Sequence, residues 1–226
     1  ALKEQLTVMY TNMDSFVNKR MELDIFLSSL EYKPNIIAIT EVNSKRFVDG
    51  IMESELSIEG YDMFSAHLSE KNFRGVVIYV DKRLVANQVE IETKFNEFIA
   101  VKIRGGASEI LVCNIYRSPN SSLANDKELC EFITYVNKTY QCQKFFVGDF
   151  NFPNIDWHVW SIAAAGTGKG SANKFISCLR KKILLQFVDQ PTRARGTQTP
   201  HILDLIISNE DKVIRSIDYL SSMSIK

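Results

Sequence analysis

The sequence lacks the long apolar runs that would place it across a membrane. None of its hydrophobic stretches approaches the ~20 residues that a transmembrane helix needs. A secretory signal is also absent from the amino terminus, and the chain starts at Ala1 rather than at a methionine. We therefore expect a domain without a membrane partner that is an excerpt from a longer protein or a processed form of one.

The sequence also lacks an excess of charge of either sign. Its 27 Lys and Arg residues balance its 27 Asp and Glu residues, so the global charge does not indicate a polyanionic partner. Any surface for nucleic acid must then be local. The hydrophobic content of 45% is ordinary for a globular protein, and no linker-like stretch divides the 226 residues. We expect one domain over residues 1–226.

Cysteine is scarce, and the close paired spacing of a zinc site or a disulfide framework is missing. Two of the cysteines fall in apolar strand or helix patterns. The sequence therefore predicts reduced thiols and an intracellular compartment. The four cysteines are Cys113, Cys130, Cys142 and Cys178.

The periodicity of the apolar residues predicts an α/β protein. Residues 6–10 and 35–41 are predicted strands on either side of a helix over 19–30, whose wide buried face would include Met21 and Ile25. From about residue 60, successive strands suggest antiparallel neighbours. Further strands are predicted over 61–66, 75–80, 98–103, 110–116, 144–149, 202–207 and 213–220, with helices over 128–140 and 171–182. This pattern favours two packed β-sheets flanked by helices.

One stretch, residues 144–157, carries the clearest chemical signal. Its apolar run reaches Gly148 and is followed by turn residues, which predicts a buried strand that ends in a tight turn. Asp149 and Asn151 then lie two positions apart at the carboxyl end of this strand and can face one crevice. A carboxylate can accept a proton from water or bind a hard cation, while the amide orients an oxygen without adding charge. The pair suits phosphoryl chemistry, and the alternative is an Asx turn without a catalytic role.

Polar residues interrupt the apolar pattern at other strand ends as well. Glu41 follows a buried strand, and Asp204 lies inside an apolar one. A buried carboxylate is strongly disfavoured unless it is paired or metal-bound, and convergence on one metal-bearing crevice would supply the partners. The positions of this kind are Asn12, Glu41, Tyr116, Asp149, Asn151 and Asp204.

The order and wording of these motifs resemble the endonuclease/exonuclease/phosphatase superfamily. The motifs are Thr-Asn-Met-Asp-Ser at 11–15, Ile-Ile-Ala-Ile-Thr-Glu at 36–41, Asn-Ile-Tyr-Arg-Ser-Pro at 114–119, Gly-Asp-Phe-Asn at 148–151 and Ile-Leu-Asp-Leu-Ile at 202–206. Phe-Pro-Asn-Ile-Asp-Trp at 152–157 and Gln-Pro-Thr-Arg-Ala-Arg-Gly at 190–196 are similar to the apurinic-endonuclease-like domain that begins the second open reading frame of LINE-type non-LTR retrotransposons. The resemblance spans nearly the whole chain and implies a DNase I-like fold, a two-layer β-sandwich flanked by helices in four αββα layers.

The resemblance implies a metal-dependent phosphodiesterase that uses Mg²⁺, with Mn²⁺ as the alternative ion. Glu41 would ligate the metal, and Asp14 would approach a second metal position. Asn12 would hold the phosphate or a metal-bound water beside Glu41.

The resemblance also implies roles around the scissile phosphate. Asp149 would orient and deprotonate the attacking water, and Asn151 would hold a non-bridging oxygen. Tyr116 would donate its hydroxyl to the phosphate, and Arg117 would add positive charge there. Asp204 would orient the histidine of the last family motif. These roles agree with in-line attack, which needs an activated water on one side and charge neutralisation on the other.

The family's last motif, Ser-Asp-His, has no counterpart before the chain stops at Lys226. We expect a single domain that is cut short just before this motif. The histidines present do not match this motif by position. His201 is retained as an alternative to the missing histidine, because it precedes the Asp204 strand.

The loop with Arg193 and Arg195 is predicted to contact DNA, because the resemblance places this loop near the DNA side and cations there would track the phosphate backbone. A solvated helix end and loop, which includes Lys181 and Lys182, explains the same basic cluster without DNA.

The favoured interpretation is an endonuclease that nicks double-stranded target DNA and leaves a 3′ hydroxyl, which primes reverse transcription of retrotransposon RNA. The implied partners are target DNA and, in a parent polyprotein, a reverse transcriptase domain and the element RNA. Synthesis in the cytoplasm and action in the nucleus are expected. The alternatives are a phosphatase or RNA exonuclease of the same superfamily, and a catalytically silent DNA-docking module.

Overall fold

Strands and helices make up the larger part of the protein in a computed structural model. The structure describes residues 5–44, 51–70, 72–105, 108–162, 169–193 and 200–220. Within these ranges the helices are α1 (Phe16–Ser29), α2 (Glu53–Leu56), α3 (Leu123–Thr139) and α4 (Lys169–Lys181). The strands are β1 (Val8–Asn12), β2 (Ile36–Thr40), β3 (Tyr61–Ala66), β4 (Val76–Asp81), β5 (Val85–Gln88), β6 (Phe98–Gly105), β7 (Ser108–Tyr116), β8 (Gln143–Asp149), β9 (Ile155–Asp156), β10 (Ser161–Ile162), β11 (Leu185–Gln186) and β12 (Asp204–Ser208).

Two sheets form the centre of the fold. The first has the order β1-β2-β4-β3, in which β1 and β2 are parallel and the other pairs are antiparallel. The second has the order β11-β12-β8-β7-β6-β5, in which β7 and β8 are parallel and the other pairs are antiparallel. The predicted antiparallel pairing therefore holds for β3 with β4 and for β6 with β7. It fails between β4 and β6, which lie in different sheets.

Three apolar clusters divide the molecule into four layers. One lies between the sheets, where Ile78 of the first sheet and Val112 of the second share a core. In a second cluster, Leu23 and Leu27 of α1 pack on the outer face of the first sheet. The third packs α3 and α4 on the outer face of the second sheet, with Phe132 and Phe175 as large members. The predicted two-layer sandwich flanked by helices is confirmed.

Asn114 links the two sheets inside this core. Its Nδ2 donates hydrogen bonds to the carbonyl oxygens of Ile39 on β2 at 2.8 Å and Val77 on β4 at 3.0 Å, and the residue is fully buried. Buried amides are stable only when they have such partners. The contact therefore fixes how β7 sits against the first sheet, and with it the relative positions of the strand ends.

Two further details of the prediction are wrong. Helix α1 has a narrower buried face than predicted, because Met21 and Ile25 are 72% and 64% exposed. Residues 213–220 form no strand in the structure. The short strand β11 already pairs with β12 at that edge of the second sheet, and Tyr219 instead anchors an irregular segment by donating its hydroxyl to Asp189 Oδ1 at 2.7 Å.

In the described part of the chain, no helix combines the length and the apolar character that crossing a membrane requires. The four cysteines are free thiols.

Gly148 is required where β7 and β8 approach each other. Its φ is 146°, and a Cβ at this position would lie 1.9 Å from the carbonyl oxygen of Ile115. Both the backbone conformation and the space exclude a side chain. This explains why glycine directly precedes Asp149.

We expect Gly148→Ala to destabilise the protein by at least about 3 kcal/mol or to prevent folding, because the added methyl group overlaps backbone rather than a movable side chain. Gly170→Ala is the matched control: Gly170 lies in α4, and nothing is within 4 Å of its Cβ position. This control should be neutral or stabilising by up to about 1 kcal/mol. Urea denaturation measures both, and equal stabilities of the two variants would contradict the prediction.

Candidate active site

Asp149 occupies the centre of the candidate site because of the strand register. On one side β7 places Tyr116 opposite Asp149, and on the other side β12 places Asp204 opposite it. In the first sheet, Asn12 ends β1 and Glu41 directly follows β2. Strand ends from both sheets therefore bring the predicted polar residues together.

Asn12 joins the two sheets at this site. Its Nδ2 donates to Glu41 Oε1 at 2.7 Å and to Asp149 Oδ2 at 2.8 Å. An amide nitrogen carries two hydrogens, so both are used. Asn12 therefore holds the two carboxylates in a defined geometry.

Asp149 is buried beside the half-buried Asp204, and the acidity of both carboxyl groups is changed. Burial, and then the negative charge of Asp204, raise the pKa of Asp149 well above its usual value. Burial also raises the pKa of Asp204, while its hydrogen bonds with Thr192 and Tyr10 act in the opposite direction and lower the pKa. Tyr10 donates its hydroxyl to Asp204 Oδ1 at 2.9 Å. Among the described residues, the buried Oδ1 of Asp149 has no hydrogen-bond partner.

Two arginines offset this negative charge. Arg74 Nη2 lies 2.5 Å from Glu41 Oε2 and 2.6 Å from Asp14 Oδ1. Arg193 is more distant, with Nη1 3.7 Å from Asp149 Oδ2 and Nη2 4.0 Å from Glu41 Oε1. Arg193, predicted to contact DNA, thus faces the carboxylates, whereas Arg195 lies outside the described residues.

His201 positions Arg193 through its backbone. The two residues form an isolated antiparallel bridge, in which the amide of His201 donates to the carbonyl of Arg193 at 3.0 Å. The bridge joins the chain on either side of residues 194–199, which lie outside the described ranges. The described contacts of His201 are thus structural.

Tyr116 lines the site with a buried phenol. Burial raises its pKa far above the usual value, and the negative charges of Glu41, Asp149 and Glu97 act in the same direction. The hydroxyl therefore stays protonated and can donate a hydrogen bond. Glu97 is half-buried beside it, and burial raises the pKa of this carboxyl to about 7.

Arg117, which the resemblance predicts to add positive charge at the phosphate, makes structural contacts in the described residues. Its Nε and Nη2 donate to both carboxylate oxygens of Asp126, and its Nη1 donates to the carbonyl of Asn151 at 2.8 Å. The guanidinium also lies 4.0 Å from the ring centroid of Phe152. Because the side chain is 7% exposed, it is not presented to a ligand at the surface.

The same contacts hold Asn151 in place. Its Nδ2 donates to the carbonyl of Arg117 at 2.7 Å, which uses one of the two amide hydrogens. Asn151 is buried with a φ of 48°. The turn after β8 is thereby locked, and the amide is held close to Asp149.

Unusual backbone conformations concentrate around the site. Asp14, Ser15, Glu41 and Asn151 all have positive φ, at 45°, 97°, 53° and 48°. Such conformations of non-glycine residues are costly and persist where surrounding contacts enforce them, often at functional sites. Hydrogen bonds from Ser15 and Phe16 amides to the carbonyls of Glu41 and Val42 provide that enforcement here.

The donor chemistry fits a hard divalent cation at one point. Oxygens of Asp14 and Glu41 converge on one cationic nitrogen of Arg74, which stands in for such an ion. Oxygen ligands of this kind suit Mg²⁺, which usually keeps several waters and uses one or two carboxylates. In the described part of the chain, no three His, Cys, Asp or Glu side chains are grouped closely enough to hold a metal by themselves. Water or substrate oxygens would therefore have to complete the coordination.

A sequence profile for endonuclease–reverse transcriptase proteins matches residues 110–224 of the chain. The chain belongs to the endonuclease–reverse transcriptase family. The matched segment contains Tyr116, Asp149, Asn151 and Asp204. The resemblance to retrotransposon endonucleases that the motifs indicated is confirmed at the level of the family. No curated protein gives a significant match to the chain.

Solved structures confirm the fold of this endonuclease domain. The endonuclease domain of TRAS1, a telomere-specific non-LTR retrotransposon, is 18% identical, with a TM-score of 0.65 over 91% of this chain and 86% of that one. A 3′-5′ exonuclease from Neisseria meningitidis is 16% identical, with a TM-score of 0.65 over 90% and 86%. An AP endonuclease from Leishmania major is 13% identical, with a TM-score of 0.65 over 90% and 78%.

Sequence reasoning missed several residues of the site. Tyr10 and Thr192 bind Asp204, Arg74 binds Glu41, and Glu97 lies beside Tyr116. Arg74 and Glu97 are far from the motifs along the chain and carry no local pattern. The one feature of the sequence that could have drawn attention to Arg74 is its position directly before Gly75, at the start of a predicted strand.

Glu97 predicts a pH dependence of stability. Because its pKa in the folded protein is about 7 and its usual value is 4.5, the folded state binds the proton more tightly. Stability should therefore fall as the pH rises from about 4.5 to about 7, by at most about 3 kcal/mol. Glu97→Gln should be more stable than the wild type at pH 8 and similar at pH 5, as measured by urea denaturation without metal. Glu92→Gln, at an exposed position, is the control. If the free energy of unfolding of Glu97→Gln follows the same pH dependence as that of the wild type, the raised pKa of Glu97 is refuted.

Proposed function

We propose that this domain is a metal-dependent endonuclease that nicks double-stranded DNA and leaves a 3′ hydroxyl. One observation carries the proposal: Asn12 joins Glu41 and Asp149 across the ends of two sheets, with the Asp149 Oδ1 atom buried and unpartnered among the described residues. A buried carboxylate oxygen in this state needs a water or a ligand. Membership of the endonuclease–reverse transcriptase family supports a phosphodiester as the substrate.

Asp149 is the proposed general base. Burial beside Asp204 raises its pKa, which makes its ionised form a stronger base than an ordinary aspartate. Its Oδ2 is fixed by Asn12, so Oδ1 is the atom that would accept a proton from the attacking water. The cleavage rate should rise with pH as Asp149 ionises.

Glu41 and Asp14 are the residues that would hold Mg²⁺ or Mn²⁺, whose role when bound is to stabilise the charge that develops on the phosphate oxygens. Asn12 fixes Glu41 from the other side. This assignment also accounts for the strained backbone at Asp14 and Glu41, because the positive φ of these residues accompanies the convergence of both carboxylates on one point.

Tyr116 and Asn151 are the proposed donors to the phosphate. The phenol of Tyr116 remains protonated because burial raises its pKa. Asn151 keeps one amide hydrogen beyond the one used on Arg117. Arg193, next to Asp149, is the proposed contact for the charged DNA backbone at the site.

In this proposal the 3′ hydroxyl primes reverse transcription of element RNA by a reverse transcriptase domain of a parent polyprotein, in the nucleus. The retrotransposon origin of the TRAS1 structure supports this context, as does the family.

The first test is a nicking assay on supercoiled plasmid with Mg²⁺. We expect Asp149→Asn to lower the nicking rate by about 10²- to 10⁴-fold, because it removes the general base. Asp156→Asn is the matched control, since Asp156 is an exposed carboxylate seven residues along the chain. Extension of the nick by a DNA polymerase detects the 3′ hydroxyl, and a chelator should abolish nicking.

The same assay separates the alternatives. Nicking that survives Asp149→Asn would refute the assignment of the base. Binding of DNA without cleavage, by this chain and by a longer version that continues past Lys226, would favour the docking module. Trimming of single-stranded RNA without plasmid nicking would favour the exonuclease.

A further inference from the structure

Arg74 occupies an unusual position between two carboxylates of the candidate site. One nitrogen, Nη2, contacts both Glu41 Oε2 at 2.5 Å and Asp14 Oδ1 at 2.6 Å. The contact is sheltered, since the Arg74 side chain is 16% exposed and that of Glu41 4%. A guanidinium in such a place is a fixed positive charge at the point where oxygens converge.

The fold holds Arg74 there through the backbone. Beyond β2 and β4 the chain continues to pair: the amide of Asn43 donates to the carbonyl of Arg74 at 2.7 Å, and that of Val42 to the carbonyl of Gly75 at 3.3 Å. The Nε of Arg74 donates in return to the carbonyl of Asn43 at 3.0 Å. Asn43 is itself buried and donates to the carbonyls of His67 and Phe73. The guanidinium is therefore anchored two residues from Glu41.

We propose that Arg74 is an internal cation that competes with the divalent metal for Asp14 and Glu41. The inference rests on the proposed function, in which these two carboxylates hold the metal. A guanidinium nitrogen and a metal ion cannot occupy the same point between the same two oxygens. Binding of the metal therefore requires Arg74 to leave these two oxygens. Because its ion pairs must then be broken, their free energy weakens the binding of the metal.

The arrangement has a second consequence for the metal-free protein. Without a cation, Asp14 and Glu41 would repel each other, and the buried Asp149 lies nearby. Arg74 keeps the two carboxylates converged and neutralised. Loss of Arg74 should thus lower the stability of the metal-free protein and raise its response to metal.

The test is a titration with Mn²⁺ followed by electron paramagnetic resonance, in which the signal of the free ion reports the bound fraction without any need for activity. Arg74→Met removes the charge and keeps much of the side-chain volume. We expect it to bind Mn²⁺ at least about tenfold more tightly than the wild type, since an ion pair of about 1.4 kcal/mol corresponds to a factor of ten. Its melting temperature should be lower than that of the wild type without metal and should rise more on addition of Mn²⁺.

Arg83→Met is the matched control, because Arg83 also pairs with an aspartate, Asp81, but its side chain is 79% exposed and lies away from the site. This variant should bind Mn²⁺ as the wild type does. Glu41→Gln, alone and combined with Arg74→Met, should weaken binding in both backgrounds.

The outcomes separate the two proposals. If Glu41→Gln weakens Mn²⁺ binding but Arg74→Met does not strengthen it, the competition is refuted and the metal assignment stands. If Mn²⁺ does not bind, or binds regardless of Glu41→Gln, the metal assignment is refuted and the competition with it. Should Arg74→Met not fold, an NMR titration of the wild type with Mg²⁺ decides, with the Nε–H resonance of Arg74 as the probe. A shift of this resonance as Mg²⁺ is added supports release of Arg74. An unchanged resonance while Mg²⁺ binds refutes the competition.

Discussion

The burial of like charges at the junction of two sheets is the constraint on which the rest of the structure depends. The negative charges of Asp204 and Glu41 raise the pKa of Asp149, and that of Glu41 also raises the pKa of Asp204. Carboxylates in such a place are unfavourable unless donors and cations surround them. Asn12, Tyr10 and the two arginines meet that requirement with contacts from three different parts of the chain. The architecture can be understood as the scaffold that brings these partners to one point.

The scaffold does this through a few rigid contacts in the core. Asn114 connects β7 to the first sheet, so the ends of strands in different sheets keep their relative positions. Gly148 lets β8 approach β7 closely, so Asp149 emerges directly opposite Tyr116. Arg117 and Asp126, buried under the turn, hold Asn151. Together these contacts hold the polar residues at the strand ends in a defined geometry, which is what preorganised electrostatic catalysis needs.

The family relation and the site geometry address different questions. The profile match assigns the chain to the endonuclease–reverse transcriptase family, and the solved structures share its fold across proteins described as an endonuclease domain, an exonuclease and an AP endonuclease. One fold thus serves several activities, so the reaction has to be argued from the residues at the site. Arg74 is where this chain offers an argument of its own, because it neutralises the pair of carboxylates that the proposed metal would use.

The sequence by itself determined the layers of the fold and the identity of the motif residues, because apolar periodicity and the polar interruptions of strands are local signals. Asn12, Glu41, Tyr116, Asp149 and Asp204 could be named this way. The tertiary structure alone decided which partners surround them. Arg74 reaches Glu41 only because β2 and β4 are antiparallel neighbours, and Arg117 turns inward only because Asp126 of α3 lies beneath it. Residues 213–220 had the pattern of a strand, but β11 already holds the edge where they would pair. Such contacts join residues distant along the chain, so sheet register and competition for one edge decide them, and no local pattern encodes either.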